Sequence, residues 1–104
     1  AYFGTNTVPG QLVKIDLAAF ARVGSAAAGP DEAHFIAGVI DPAGTAAYFS
    51  TSAAPAEIVK FDLTTFARSA AITLEDGENF AGTGVMDPSG DYAYFAATSD
   101  PETF

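Results

Sequence analysis

The tripeptide Ala-Tyr-Phe occurs three times, at residues 1–3, 47–49 and 93–95, each 46 positions after the one before. The interval governs the whole chain. A shift of 46 aligns VKIDLAAFAR (13–22) with VKFDLTTFAR (59–68), and GVIDPAG (38–44) with GVMDPSG (84–90). About 18 of the 46 aligned positions are identical, against roughly two or three by chance. Self-similarity at this spacing marks one supersecondary unit used repeatedly, each copy hiding its apolar faces against its neighbours. The units are residues 1–46, residues 47–92 and a partial third, 93–104, in a single repeat region.

Within each unit the pattern is one of short strands between turns. AAYFSTS (46–52) is aromatic and β-prone. EIVKFDL (57–63) alternates, with Ile58, Lys60 and Asp62 on one face and Val59, Phe61 and Leu63 on the other. TTFAR turns the chain into SAAITL (69–74), and NFAGTGVM (79–86) runs into the turn DPSGD. Pro88 supplies the φ of a type I turn and Gly90 the left-handed position. The stretch LAAFARVGSAAAG comes nearest to a helical period, but its Thr-rich counterpart LTTFARSAAITLE predicts turn plus strand for both. Four strands per unit follow. The runs FIAGVI and FAGTGVM, continuous in small and apolar residues, suit strands packed on both faces.

A four-stranded unit of this length, tandemly repeated, is the pattern of a β-propeller blade. The units resemble the YVTN-type bacterial β-propeller repeat, a relative of WD-repeat and NHL-type propellers. GVMDPSGDYAYFAAT (84–98) stands for the first half of the blade and IVKFDLTTF (58–66) for the second. AYF replaces YVT, and an acidic GE loop is inserted. The resemblance implies an all-β fold of antiparallel blades, with strands A to D from the inside outward. It fixes no single activity, because propellers host binding proteins and enzymes alike. The chain then reads B-C-D, A-B-C-D, A-B, about two and a quarter blades. A ring needs four to eight. The expectation is an excerpt of a larger propeller, or copies that complete one another as a ring or fibre. A β-solenoid, stacked-sheet fibre subunit or sandwich is the alternative.

Composition narrows the partners. The formal charge is −9 with only four Lys and Arg, so no clustered basic surface exists for nucleic acid or anionic membrane. No apolar run approaches the ~20 residues that span a bilayer. There are no cysteines, so disulfides and thiolate metal sites are excluded. No signal peptide is visible, and the first residues already read as a strand. Low Lys with abundant Ala, Gly and Thr suits an extracellular or cell-surface setting. Basic proteins, cations or glycans, other copies of the chain, and further blades of a parent chain are the partners to test.

No catalytic constellation emerges. His34 is the sole histidine and aligns with Phe80, so it reads as an aromatic replacement in the core or at an edge. One histidine without a second ligand or nucleophile makes neither metal site nor triad. The acids Asp31, Glu32, Glu75, Asp76 and Glu78 precede the inner strands, and Glu57 can join them on the same face of a propeller. Glu32, Glu57, Glu75, Asp76 and Glu78 are therefore the weak candidates for a cation- or basic-partner face. Their spacing matches no calcium loop, so no metal or cofactor is expected. The plainer reading is a solvated loop in which Glu32 and Glu78 accept local backbone hydrogen bonds. Asp41-Pro42 and Asp87-Pro88 read as hairpin turns. Lys14 and Lys60, Asp16 and Asp62, and Arg22 and Arg68 recur, so they read as scaffold: either a charged rim or a ladder to acids between blades. The Gly-rich stretches match no phosphate-binding motif. Asn6 and Asn79 lie in no glycosylation sequon. Tyr2, Tyr48 and Tyr94 read as core or blade-interface residues. The favoured function is a non-catalytic repeat module with a scaffold, assembly or binding role. A fragment of a lactonase- or dehydrogenase-like propeller enzyme and a cation-dependent adhesive surface are the alternatives.

Overall fold

The computed structural model describes residues 1–99 of the chain. Among them are nine strands and no helix: β1 (Tyr2–Gly4), β2 (Gln11–Asp16), β3 (Ala21–Ala27), β4 (Phe35–Ile40), β5 (Ala46–Thr51), β6 (Glu57–Asp62), β7 (Ala67–Thr73), β8 (Glu78–Met86) and β9 (Ala93–Ser99). They form three separate antiparallel sheets, ordered β1-β2-β3, β4-β5-β6-β7 and β8-β9. Sheets of three, four and two strands are what the reading B-C-D, A-B-C-D, A-B requires. The remainder of the partial third unit, residues 100–104, lies outside the described residues.

Equivalent residues take equivalent places. Tyr2 pairs with Lys14 and Phe3 with Val13 in the first sheet, as Tyr48 pairs with Lys60 and Phe49 with Val59 in the second. A bulge breaks β2–β3 after Lys14 and β6–β7 after Lys60. The extra residue on β7, Ser69, resets the alternation and brings Arg68 opposite Phe61. The LAAFARVGSAAAG stretch is turn plus strand, as its counterpart predicts. Asp16 Oδ1 accepts the amides of Ala18 and Ala19, and Asp62 Oδ1 those of Thr64 and Thr65. These are turn-forming bonds that short acidic side chains make well. Each turn ends on an aromatic residue at positive φ, 51° at Phe20 and 54° at Phe66. At the Asp-Pro turns, Asp41 Oδ1 accepts the Thr45 and Ala46 amides, and Gly44 and Gly90 sit at φ 74° and 81°. Both observations match the turn chemistry expected from sequence.

The core lies between the first two sheets. Leu12 of β2 joins one buried cluster with Phe35, Ala47, Phe49, Val59, Phe61 and Leu63 of the second sheet and its flanking turn. The rings of Phe35 and Phe49 stack at 5.4 Å, and Phe61 meets both edge-on at 6.0 and 6.2 Å. Such pairs add about 0.5–1.5 kcal/mol beyond the area they bury. Gly38 makes the stack possible, because a Cβ there would run into the Phe49 ring opposite it. The second face of the middle sheet, with Ile58 buried, turns toward β8 and β9. Strand β5 is therefore covered from both sides and buried along nearly its whole length.

The end sheets are covered from one side only. Phe49 is 7% exposed, whereas its repeat-equivalent Phe3 is 59% exposed. Tyr48 is half-buried, whereas Tyr94 is 61% exposed. Within the chain Tyr2 and Tyr48 are thus partly covered, whereas Tyr94 lies open to solvent. Among the described residues no strand flanks β9 on its outer side to supply the partner that Lys60 gives Tyr48.

Candidate functional site

The loops β1–β2, β3–β4, β5–β6 and β7–β8 gather on one face of the molecule. Backbone hydrogen bonds stitch them together: Gly10 N donates to Glu32 O at 2.8 Å and His34 N to Thr7 O at 2.9 Å. One unit later, Ala56 N donates to Glu78 O at 2.8 Å and Phe80 N to Ala53 O at 3.0 Å. Two threonines that sequence reasoning passed over close these loops. Thr5 Oγ1 accepts the Gln11 amide and Thr51 Oγ1 the Glu57 amide. Their identity across the repeat was the available signal.

Glu32 carries the strongest electrostatics on this face. It is buried, 8% exposed, and its Oε1 accepts from Gly29 N at 2.7 Å and from Arg68 Nε at 3.0 Å. Arg68 Nη2 donates to the second oxygen, completing a two-pronged ion pair. The Arg68 hydrogen bond holds the Glu32 carboxyl below its ordinary pKa, against the opposing pull of burial, and the Gly29 amide adds to the lowering. Arg68 moves up in return, with Glu57 contributing as a further nearby negative charge. Of the two readings of the recurrent charges, this pair is a rung of the ladder. The lysines do something different: Lys60 Nζ lies 5.9 Å from the Tyr48 ring, and Lys14 Nζ 6.0 Å from the rings of Tyr2 and Phe66.

The other acids do not converge. Glu78 Oε1 accepts the Glu75 amide at 2.8 Å, the counterpart of the Glu32–Gly29 bond, and Glu75, Asp76 and Glu78 are exposed. Glu57 is half-buried at the start of β6. Among the described residues no three His, Cys, Asp or Glu side chains come close enough together to share a metal ion. A local backbone hydrogen bond accounts for Glu78, whereas Glu32 adds to its local Gly29 bond the long-range pair with Arg68. His34 lies at the exposed edge, not in the core, with Nδ1 2.6 Å from Asn6 Oδ1. Its φ of 58° matches the 48° of Phe80, so the equivalence with an aromatic position extends to the backbone.

Two apolar grooves flank the middle sheet. One, about 480 Å³, runs between β1 and β4 and is lined by Phe3, Gly4, Ile36, Gly38 and Val39. The other, about 640 Å³, lies between the second and third sheets against Ile58, Ile72, Leu74 and Phe95. Neither contains a nucleophile beside a base.

No family model and no curated protein matches the chain. Among solved structures the chain is similar to Kuenenia stuttgartiensis hydrazine synthase, with a TM-score of 0.77 at 15% identity. The match covers 96% of this chain and 27% of that one, so the stacked-sheet fold is shared with a stretch spanning about a quarter of the larger protein. At this identity the likeness concerns the fold alone.

Proposed function

We propose that the chain is a non-catalytic repeat module of the β-propeller type, which works as a scaffold by packing its sheets face to face with further sheets of the same kind. One contrast carries the reading: the same aromatic is buried at Phe49 in the middle sheet and exposed at Phe3 in the end sheet. Covering the second face of an end sheet removes apolar surface from water at roughly 25 cal/mol per Å². The recurrent residues favour scaffold over chemistry, since Lys60–Tyr48, Asp62 and the Asp-Pro turns all act in packing or turns. An extracellular setting belongs to the same proposal.

Native mass measurement tests it. The reading expects particles heavier than one 10.6 kDa chain. A stable, closed particle of one chain at every concentration overturns it.

The coverage of hydrazine synthase favours one second reading, a segment of a larger enzyme whose site lies in sheets beyond this chain. His and acid side chains converging in the sheets of such a parent decide for it; their absence decides against it.

A further inference from the structure

Building on the scaffold reading, we infer that the partner of each end of this chain is the opposite end of a second copy, joined by a composite sheet β8-β9-β2-β3 in which the incoming β9 takes the place of β1. Four independent observations point to this one occupant.

The first is strand duplication. The AYF segment recurs at both β1 and β9: β1 begins at its tyrosine, Tyr2, and β9 at its alanine, Ala93. The β1 strand holds β2 through Tyr2 to Gly4, and Ala1 exchanges two further backbone hydrogen bonds with Ile15. Its equivalent β5 holds β6 through Ala46 to Ser50. The AYF segment of β9 therefore matches the surface of β2 that the AYF segment of β1 occupies.

The second is the groove between β1 and β4. It lies where a strand equivalent to β4 would border the first sheet, as β4 borders β5. Within the chain β4 already packs on β8. A β8 arriving with its own β9 fills this groove, and Phe95, already lying over Gly84, arrives as Phe49 lies over Gly38.

The third is the groove against Ile58, Ile72 and Leu74 at the other end. It lies where a sheet equivalent to the middle one has its third and fourth strands. The β2 and β3 of the second copy fill it, with the face that carries Ile58 covered as Val59 and Phe61 are covered by Leu12.

The fourth is charge. Arg68 meets Glu32 within the chain. Among the described residues the equivalent arginine, Arg22, is exposed and donates to nearby Ser25 alone, and the equivalent acid, Glu78, is exposed and accepts its local amide alone. In the composite sheet Arg22 of one copy faces Glu78 of the next in the geometry of Arg68 and Glu32. Lys14 exchanges the ring of Tyr2 for that of the incoming Tyr94. The contact is head-to-tail, so it propagates into a closed ring or an open fibre.

Charge reversal tests the junction by sedimentation of the 104-residue chain. Wild type assembles. Arg22→Glu and Glu78→Arg, each alone, set like charges against one another and weaken assembly about tenfold or more. An equimolar mixture of the two variants assembles again, because each then meets an opposite charge. Far-UV circular dichroism establishes that both variants keep their strands. Assembly unchanged in the single variants, or lost in them and not regained on mixing, overturns the junction while leaving the scaffold reading in place. A wild-type chain that stays single overturns both.

Discussion

Arg68 and Glu32 stand 36 positions apart, on β7 and in the loop before β4, and grip one another through two parallel hydrogen bonds. The pair closes a circuit between the first and second units, because Glu32 simultaneously accepts from Gly29 and its carbonyl from Gly10. One carboxylate thus ties the outer strand of the middle sheet to the loops of the sheet before it.

Removing that carboxylate has a direct consequence. Glu32→Gln loses the charge-assisted bond and leaves a buried amide facing Arg68. Because Arg68 is open to water, the cost is screened, and about 1–2 kcal/mol of stability is expected to go. A double-mutant cycle with Arg68→Met, read by urea unfolding, gives the coupling. Additive effects of the two substitutions contradict the pair.

Acid sensitivity follows from the same site. Glu32 and Asp41 both titrate below their ordinary values, Glu32 through Arg68 and Asp41 chiefly through the Thr45 hydroxyl. The unfolded chain therefore takes up protons first as pH falls. Their contribution is complete above the ordinary carboxylate range, near pH 4, and is lost as pH drops through the lowered values. Melting temperatures followed from neutral to about pH 2 should fall in that window. The fall should be shallower in Glu32→Gln; an identical slope removes Glu32 from the account.

The contrast between equivalent aromatics gives a third expectation. Phe49→Ala empties a site among Phe35, Phe61 and Gly38 and costs about 3–5 kcal/mol. In the single chain Phe3→Ala costs well under about 1 kcal/mol, because its ring faces water. Equal losses from the two would mean that the end sheet is covered in the same way as the middle one.

His34 should tolerate an aromatic and resist a β-branched residue. Phe80 holds a similar positive φ, so His34→Phe gives up only the exposed bond to Asn6, about 0.5 kcal/mol. His34→Val places a β-branched side chain at φ 58° and costs about 1–2 kcal/mol. Thermal unfolding of the two variants separates these values; the reverse order contradicts the backbone equivalence.

Much of this architecture was legible in the residues. The 46-residue interval located every strand from β4 to β9 within a residue or two, and it predicted how many strands each sheet would hold. Asp41, Asp87 and the glycines that follow announced their turns through local chemistry alone. Burial was harder to read, because identical residues have different neighbours. Nothing in AYF tells Phe3 from Phe49; only the number of sheets stacked on each does. The acids of the loop face were legible as a group but not as partners. Glu32 finds Arg68 because the chain returns across two loops and a bulge, and that path is tertiary. His34 showed its aromatic equivalence in the alignment, while its exposure depended on which edge the loop occupies.

The central claim is that each sheet takes its first strand from one 46-residue unit and its other strands from the next, and hides its apolar sides only against the sheets before and after it. Electron microscopy of the assembled chain tests this most directly. Sheets of equal size succeeding one another at a constant angle, with no exposed end faces in a ring or only two in a fibre, are the predicted image. A compact particle of one chain, with its two units folded into unlike shapes around a private core, contradicts it.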